Sequence, residues 1–300
     1  MKILVSGSHG LVGKALTRSL TGDGHEVVRL VRRERTVGAP EVEWHPENGR
    51  LHAAQLEGIE AVVHLAGENI ASGRWTTEKK RAIRESRVQG TTLLSDALAR
   101  LSTPPSVFLS ASAIGYYGDR GDELLTEKSA PGKDFLSNVC ADWEAATQPA
   151  VEKGIRTIHA RFGIILDPNE GALAKMLPPF RMGIGGRIGD GKQWMSWIAL
   201  DDVINGLKFL IEDKSTSGPV NFVAPNPVTN TEFTKTLGRV LAKPTFFPVP
   251  AFGARLVFGE MADALLLSSQ KVEPAILEDK GFLFTWPTLE PAFRHLLATD

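Results

Sequence analysis

The sequence predicts an α/β fold: a doubly wound parallel sheet with a smaller C-terminal lobe. Strand-like runs alternate with helical runs through the first half of the chain, and the strands are almost continuously apolar. Strands without polar interruption are buried on both faces, as in a parallel sheet with helices on each side. The 300 residues, 42% of them hydrophobic, are enough to build a large core.

The elements follow one another in βαβα order. Strand-like runs cover Lys2–Ser6, Glu26–Val31, Ala61–Ala66, Ser106–Ser110 and Arg156–Ala160. Apolar residues recur at helical spacing over Lys14–Leu20, Glu78–Leu101 and Ser137–Lys153. This order predicts parallel strands joined by helical crossovers.

The second half of the chain has a different composition. Prolines and glycines cluster there, for example at Pro178-Pro179 and at Gly185-Gly186, which indicates turns between shorter elements. We therefore predict a nucleotide-binding domain over residues 1–165 and a smaller substrate lobe over 166–300, with some later elements returning to the sheet.

Composition argues against several classes of protein. The net charge is −1 with no long run of like charge, which disfavours nucleic acid or anionic membrane as a partner. No run approaches the roughly 18 apolar residues of a membrane-spanning helix. Cys140 is the only cysteine, which suits a cytoplasmic protein without disulfides. The histidines are scattered, so we predict no metal site.

A glycine-rich turn stands between the first strand and the first helix. It reads Gly7-Ser8-His9-Gly10-Leu11-Val12-Gly13. Glycines allow the backbone to turn tightly and approach a pyrophosphate, while the helix N-terminus offers free N–H groups and a positive dipole end. Strand, glycine turn and helix in this order predict dinucleotide binding in a fold of the Rossmann type.

The tip of the second strand bears on the choice of cofactor. An acidic residue here is typical of sites that prefer NAD, because it accepts the ribose hydroxyls. This strand instead ends in Arg32-Arg33. A guanidinium binds a 2′-phosphate that a carboxylate repels, so Arg32 predicts NADP(H). The alternative is that both arginines are solvated loop charges.

Two further features belong to the predicted cofactor site. Leu65-Ala66-Gly67 ends a strand with small residues that allow the backbone to lie against a cofactor, although Gly67 also suits a simple turn. Arg84 and Arg87 share one helix face, which by default is solvated. Arg87 can instead reach back to the pyrophosphate.

Longer motifs resemble one subgroup of the extended and atypical short-chain dehydrogenase/reductases, the epimerase-family proteins. These motifs are Leu65–Ile70 with Arg74-Trp75, Gly115–Gly118, Lys175–Phe180 and Trp197–Asp202, and the C-terminal region from about residue 247 resembles a part specific to that subgroup. The resemblance implies a Rossmann-type fold and NADP(H). It places Arg32, Leu65, Ala66 and Arg87 at cofactor-contacting positions, and we also assign Ser110, Ala111 and Arg161 to the cofactor.

The chain departs from the superfamily at its catalytic residues. These enzymes generally use a Ser or Thr, a Tyr, and a Lys four residues after the Tyr to move a proton at the substrate oxygen. Aligned on Glu144, the Tyr position falls on Leu136 and the Lys position on Cys140. Ser112 and Tyr117 remain as catalytic candidates, with Tyr117 alternatively packing at the pocket wall.

For the other candidate residues a structural role is the default interpretation. Trp75, Met195 and Trp197 are predicted to line a substrate pocket or to pack in the core. Lys175 can meet an anionic substrate or be solvated. Cys140 is a weak candidate nucleophile, because a lone helical cysteine is usually a buried apolar residue.

Two functions follow from these observations. The first is an NADP(H)-dependent oxidoreductase or epimerase acting on an unknown small or nucleotide-linked molecule. The second is a catalytically weak NADP(H)-binding protein that regulates or senses redox state, which the missing Tyr–Lys pair favours. The resemblance also implies a homodimer paired through the helices at Glu78–Leu101 and Ser137–Lys153.

Overall fold

The structure is a computed structural model that describes residues 1–298. Its strands are β1 Lys2–Ser6, β2 Glu26–Val31, β3 Glu41–His45, β4 Arg50–Leu51, β5 Ala61–His64, β6 Val107–Ala113, β7 Leu124–Leu125, β8 Arg156–Phe162, β9 Ile164–Leu166, β10 Trp194–Met195, β11 Trp197–Ala199, β12 Gly218–Phe222, β13 Val228–Thr229 and β14 Lys271–Val272. Its α-helices are α1 Leu11–Gly22, α2 Thr77–Ala99, α3 Phe135–Ala145, α4 Gln148–Glu152, α5 Gly171–Arg181, α6 Leu200–Glu212, α7 Asn230–Val240, α8 Ala251–Phe258, α9 Glu260–Ala262, α10 Ala275–Asp279 and α11 Leu289–Leu297.

The main sheet has the order β12-β8-β6-β5-β1-β2-β3-β4, and only the short β4 runs antiparallel to its neighbour. The chain moves outward in one direction from β1 to β3 and then in the other direction from β5 to β12. This reversal lies between β1 and β5, next to the glycine turn. The doubly wound Rossmann-type fold is therefore confirmed. Ligands of such sheets bind at the carboxyl ends of the strands, at the point where the order reverses.

Both faces of the sheet are buried, which explains the continuous apolar strands. In β1, Ile3 and Val5 point into a core formed with α1 and α6, whereas Leu4 points into a second core on the other face, beneath α2. Each side chain from Ile3 to Ser6 is thus removed from water, and no polar alternation is required.

The C-terminal lobe has a core of its own, built from α5, α7 and α11 around Trp197, Phe233 and Phe293. The chain does not leave the main sheet at residue 166, because β12 pairs in parallel with β8 and α6 packs against α1. No helix among residues 1–298 is long and apolar enough to cross a bilayer.

One predicted helix differs in the structure. The expected helix over Ser137–Lys153 is divided into α3 and α4, with Thr147 between them and Pro149 in the first turn of α4. Proline has no N–H and clashes with the preceding turn, so a single helix through this point is unfavourable.

Candidate functional site

The glycine turn lies against the end of β5, at the reversal point of the sheet. Gly7 has φ +66°, a conformation that favours glycine, and a β-carbon there would lie 2.8 Å from the Leu65 carbonyl carbon. A β-carbon on Gly13 would lie 2.2 Å from the Gly7 oxygen. The turn therefore packs backbone against backbone, which leaves its outer side open to a ligand.

The N-terminus of α1 is suited to an anion. No side chain caps its first amides at Gly10, and its first turn has no acidic residue. The side chain of Leu11 lies near Gly171 and that of Val12 packs on the core, so Leu11 and Val12 offer their backbones to a ligand. Unsatisfied N–H groups at a positive dipole end form an anion site.

A shallow cavity of about 410 Å³ lies beside this turn. Ser8 and His9 line it together with Lys14, Arg18 and Arg29. His9 is exposed, whereas Ser8 is buried and its hydroxyl has no hydrogen-bond partner in the part of the chain that the structure describes. The surroundings of the turn are thus basic.

The two arginines at the tip of β2 differ in their contacts. Arg33 donates two hydrogen bonds to the Glu41 carboxylate, at 2.6 and 3.1 Å. Hydrogen bonds from the Thr36 amide and from Arg33 lower the pKa of Glu41. Arg32 is exposed and makes no hydrogen bond or ion pair within residues 1–298. Arg33 thus neutralises the nearby carboxylate, and Arg32 is available to a ligand.

Arg87 lies over the end of β5. Its Nη1 donates to the carbonyl oxygens of Glu68 and Ile83, at 3.1 and 3.0 Å, and its guanidinium lies 4.9 Å from the centre of the Trp143 ring. A β-carbon on Gly67 would lie 3.2 Å from its Cζ. Burial lowers the pKa of Arg87. Because no carboxylate pairs with it among the described residues, Arg87 is a partly buried cation open to an anionic ligand.

Arg161 also lies at the sheet edge, but its contacts differ from the prediction. It is almost fully buried, and its Nε and Nη2 each donate to the Glu144 carboxylate at 2.8 Å. Its Nη1 donates to the Tyr117 hydroxyl at 3.0 Å. Burial alone would lower the pKa of Arg161. The hydrogen bonds and the charge of Glu144 together outweigh burial and raise this pKa. Protein groups occupy the guanidinium of Arg161, so its assignment to the cofactor stays a prediction that these contacts do not support.

The two catalytic candidates belong to the same buried network. Ser112 donates to Glu144 at 2.7 Å, and the Tyr117 hydroxyl donates to the Asn221 side-chain oxygen at 2.7 Å. Tyr117 has no exposed surface, and burial raises its pKa to about 12. Both hydroxyls are buried and bonded within the protein, which does not favour their assignment as proton-transfer groups. For Tyr117 the structure agrees with the alternative of a packing residue.

The positions of the missing Tyr and Lys are apolar. Leu136 and Cys140 are buried on one face of α3 and pack on Gly115, where a β-carbon would lie 3.5 Å from Leu136 Cβ and 3.8 Å from Cys140 Sγ. Burial, with the charge of Glu144 adding to it, raises the pKa of Cys140 to about 12. The thiol is therefore protonated, which argues against a nucleophilic role.

The remaining candidates divide between core and cleft. Trp197 is fully buried in the C-terminal lobe, so it is core and not pocket wall. Trp75 packs edge-on against Phe135 with ring centres 5.4 Å apart. Lys175 donates to the Ala71 carbonyl at 3.0 Å and is therefore not simply solvated.

Three other predicted residues are buried or half-buried. Ser110 and Ala111 are buried in β6 near the carboxyl edge. Met195 is half-buried, with its sulfur 3.3 Å from the Asn230 amide nitrogen. In residues 1–298 no three His, Cys, Asp or Glu side chains lie together as a metal site would require.

Sequence reasoning missed two hydrogen-bonded groups. One is the network around Glu144, which served in the sequence only to align the catalytic helix. The other joins Ser6 and His64 at the ends of neighbouring strands. Strand-end positions were the available signal for the second, since Ser6 and His64 each stand directly before a predicted cofactor segment.

Comparison with known proteins agrees with this geometry. Residues 3–223 match the family described as "NAD dependent epimerase/dehydratase family", and residues 249–296 match a domain of unknown function. An epimerase family protein of Mycobacterium bovis is 42% identical over 293 residues, which cover 98% of this chain and 96% of that protein.

Two solved structures are similar over the whole of this chain. The human epimerase family protein SDR39U1, crystallised with NADPH, is 33% identical with a TM-score of 0.92, and both chains are covered completely. A nucleoside-diphosphate sugar epimerase from Corynebacterium glutamicum is 40% identical with a TM-score of 0.81, and the match covers 59% of that chain.

Proposed function

Because the chain belongs to the NAD dependent epimerase/dehydratase family, we propose that it binds NADP(H) along the carboxyl edge of its main sheet. The pairing at the tip of β2 carries this proposal. Arg33 neutralises Glu41, whereas Arg32 makes no hydrogen bond or close ion pair in the described chain and has only a Coulombic interaction with Glu47. An unpaired guanidinium beside a neutralised carboxylate suits a 2′-phosphate and not a bare ribose.

The other contacts fit the rest of the dinucleotide. The amides at Leu11, Val12 and Gly13 suit the pyrophosphate, since the backbone there is closely packed and uncapped. Arg87 supplies a second cation over the end of β5. We assign the backbone of Leu65–Gly67 and the strand end at Ser110–Ala111 to the same cleft.

We propose oxidoreductase or epimerase-like chemistry on a small or nucleotide-linked substrate. The similarity to the Corynebacterium protein, a nucleoside-diphosphate sugar epimerase, supports a nucleotide-linked substrate class. NADP(H) would supply hydride exchange when bound. This chain's own side chains supply no Tyr–Lys pair for the accompanying proton, because Leu136 and Cys140 stand in its place. We assign that proton to the substrate or solvent.

The apolar residues Leu136 and Cys140 also favour a second function, in regulation or redox sensing. A protein that binds NADP(H) and turns over slowly can report redox state to a partner, and it needs the phosphate site but not the catalytic pair. The sealed hydroxyl of Tyr117 and the protonated thiol of Cys140 support it. A cytoplasmic location and a homodimer remain predictions.

A pair of arginine variants tests the cofactor assignment. We expect Arg32→Ala to weaken NADPH binding by roughly 10- to 100-fold, because a hydrogen-bonded charge pair contributes about 1.5–3 kcal/mol. NADH binding should not change. Arg35→Ala is the matched control, since Arg35 is also exposed in the same loop. Equal losses in the two variants, or no loss in Arg32→Ala, would contradict the assignment.

A further inference from the structure

A buried chain of hydrogen bonds runs beneath the turn that follows β5. Ser6 ends β1, His64 ends β5, and the two are register partners in these parallel strands. Both residues are fully buried, and the Ser6 hydroxyl lies 2.6 Å from His64 Nδ1. The pair therefore joins the strand before the glycine turn to the strand before Leu65.

The hydrogen bonds fix the direction of each proton. The amides of Leu65 and Ala66 donate to the Ser6 oxygen at 3.0 and 3.2 Å. With both acceptor sites of that oxygen occupied, its single proton is directed to His64 Nδ1. Nδ1 then accepts, and Nε2 carries the imidazole proton. Nε2 donates to the Thr91 hydroxyl oxygen at 3.1 Å.

The series of hydrogen bonds continues to the Trp143 ring, which forms a platform beneath Arg87. Thr91 also accepts a hydrogen bond from Trp143 Nε1 at 2.9 Å, and the Trp143 ring lies under the Arg87 guanidinium. At the other end, the turn held by Ser6 packs so closely on Gly7 that a β-carbon there would lie 2.8 Å from the Leu65 carbonyl carbon. One continuous set of buried bonds thus supports two features of the cleft, the Leu65–Ala66 turn and Arg87.

We infer that His64 is a positioning residue for the cofactor cleft, which holds the Leu65–Ala66 turn through Ser6 and the Arg87 platform through Thr91. This inference rests on the proposed NADP(H) function. His64 does not touch the cofactor, because it is sealed beneath the turn. It acts by orienting other groups, as the outer ligands of a metal site orient the inner ones.

The surroundings of His64 hold it in the neutral form that this role needs. Trp44 packs edge-on against the imidazole with ring centres 5.8 Å apart, and Phe108 lies at 6.4 Å. Burial lowers the pKa of His64 to about 4. A protonated ring would have no acceptor for the Ser6 hydroxyl, so the bonds described require the neutral ring.

Three variants separate this role from ordinary core packing. His64→Leu removes both ring nitrogens. His64→Asn keeps an amide oxygen near the position of Nδ1 as an acceptor for Ser6, and Ser6→Ala removes the hydroxyl with little change of volume. Leu98→Ala is the control, because Leu98 is fully buried in the same core without a polar contact.

The readouts are the NADPH dissociation constant by fluorescence and hydrogen exchange of the Leu65 and Ala66 amides in the free protein. We expect His64→Leu and Ser6→Ala to weaken NADPH about tenfold and to speed exchange at both amides. His64→Asn should stay within about threefold of wild type. Leu98→Ala should lower the melting temperature and leave affinity and local exchange unchanged.

Two results would overturn the inference. The first is wild-type affinity in His64→Leu and Ser6→Ala. The second is an equal loss of affinity in Leu98→Ala, which would mean that stability alone sets binding. If the wild type binds no NADPH, the proposed function fails instead, and the exchange rates of the two amides still decide whether His64 holds the turn.

Discussion

Two arginines at the same sheet edge differ because of their partners. Arg161 is tied to Glu144 and Tyr117 within the protein, whereas the direct contacts of Arg87 among residues 1–298 are two backbone carbonyls and an aromatic ring, with Glu68 acting on it by charge alone. A buried charge is stable only when it is paired. Arg161 is therefore structural, and Arg87 is available to an anion.

Removing the charge of Glu144 tests the structural role of Arg161. We expect Glu144→Gln to lower the free energy of unfolding by about 3 kcal/mol, because it leaves Arg161 buried without its counter-charge. Urea unfolding measures this, with the exposed Glu152→Gln as control. A stable Glu144→Gln protein that no longer binds NADPH would instead place this network in the ligand site.

The lowered pKa of His64 predicts how the free energy of unfolding depends on pH. Its pKa is about 4 in the folded protein against an ordinary 6.5. Between these values the unfolded chain binds a proton that the folded chain does not, so stability falls as the pH decreases. This group accounts for about 2 kcal/mol between about pH 7.5 and about pH 4.5.

Comparison with His64→Asn isolates that contribution from the carboxylates, which titrate in the same range. Urea unfolding at both pH values should show a larger loss of stability in the wild type than in the variant. Equal losses would show that His64 does not resist protonation in the folded state.

At the scale of the elements, helix α1 offers both a test of the glycine turn and a matched control, at Gly13 and Gly22. Gly13 has no room for a β-carbon, whereas a β-carbon on Gly22 meets nothing within 4 Å. We expect Gly13→Ala to abolish NADPH binding, because the turn must move away from Gly7. Gly22→Ala should retain binding and raise stability by about 0.5–1 kcal/mol. Calorimetric titration and thermal melting measure both, and intact binding in Gly13→Ala would refute the cradle geometry.

The strands and long helices could be predicted because buried faces require apolar residues at regular spacing in the sequence. Lys2–Ser6 and Glu26–Val31 agree with the structure residue for residue, and Glu78–Leu101 is Thr77–Ala99 in the structure. The division of α3 from α4 shows the limit of this pattern. The apolar spacing continues from α3 into α4 without a break. The boundary between the two helices depends on a single proline, Pro149.

The burial of the catalytic candidates could not be predicted, for a different reason. Ser112 and Tyr117 have suitable chemistry at suitable places in the chain, but a sequence does not show which way a side chain points. Glu144 and Asn221, from distant parts of the chain, draw both hydroxyls inward. The role assigned to Arg32 stays a prediction, and it depends on position at the tip of a strand more than on side-chain orientation.

At the scale of the whole molecule, the segment 68–76 joins the sheet edge to the C-terminal lobe. Ala71 accepts a hydrogen bond from Lys175, and Arg74 donates to the Leu256 carbonyl. Both contacts connect residues far apart in the chain, so local sequence patterns do not reveal them. They link the cofactor edge to the lobe in which we predict the substrate to bind.

Releasing these contacts should speed the loss of cofactor. We expect a Lys175→Ala, Arg74→Ala double variant to release NADPH roughly five- to thirtyfold faster, since each of the two hydrogen bonds contributes about 0.5–1 kcal/mol. Stopped-flow displacement measures the rate. Lys153→Ala, on the exposed surface, is the control. An unchanged rate would mean that the segment does not restrain the cofactor.

Titration of the wild-type protein with NADPH and with NADH, in parallel, tests the central claim most directly. The unpaired Arg32 and the neutralised Glu41 predict that NADPH binds at least about tenfold more tightly. Equal affinity for the two cofactors, or tighter binding of NADH, would contradict the account.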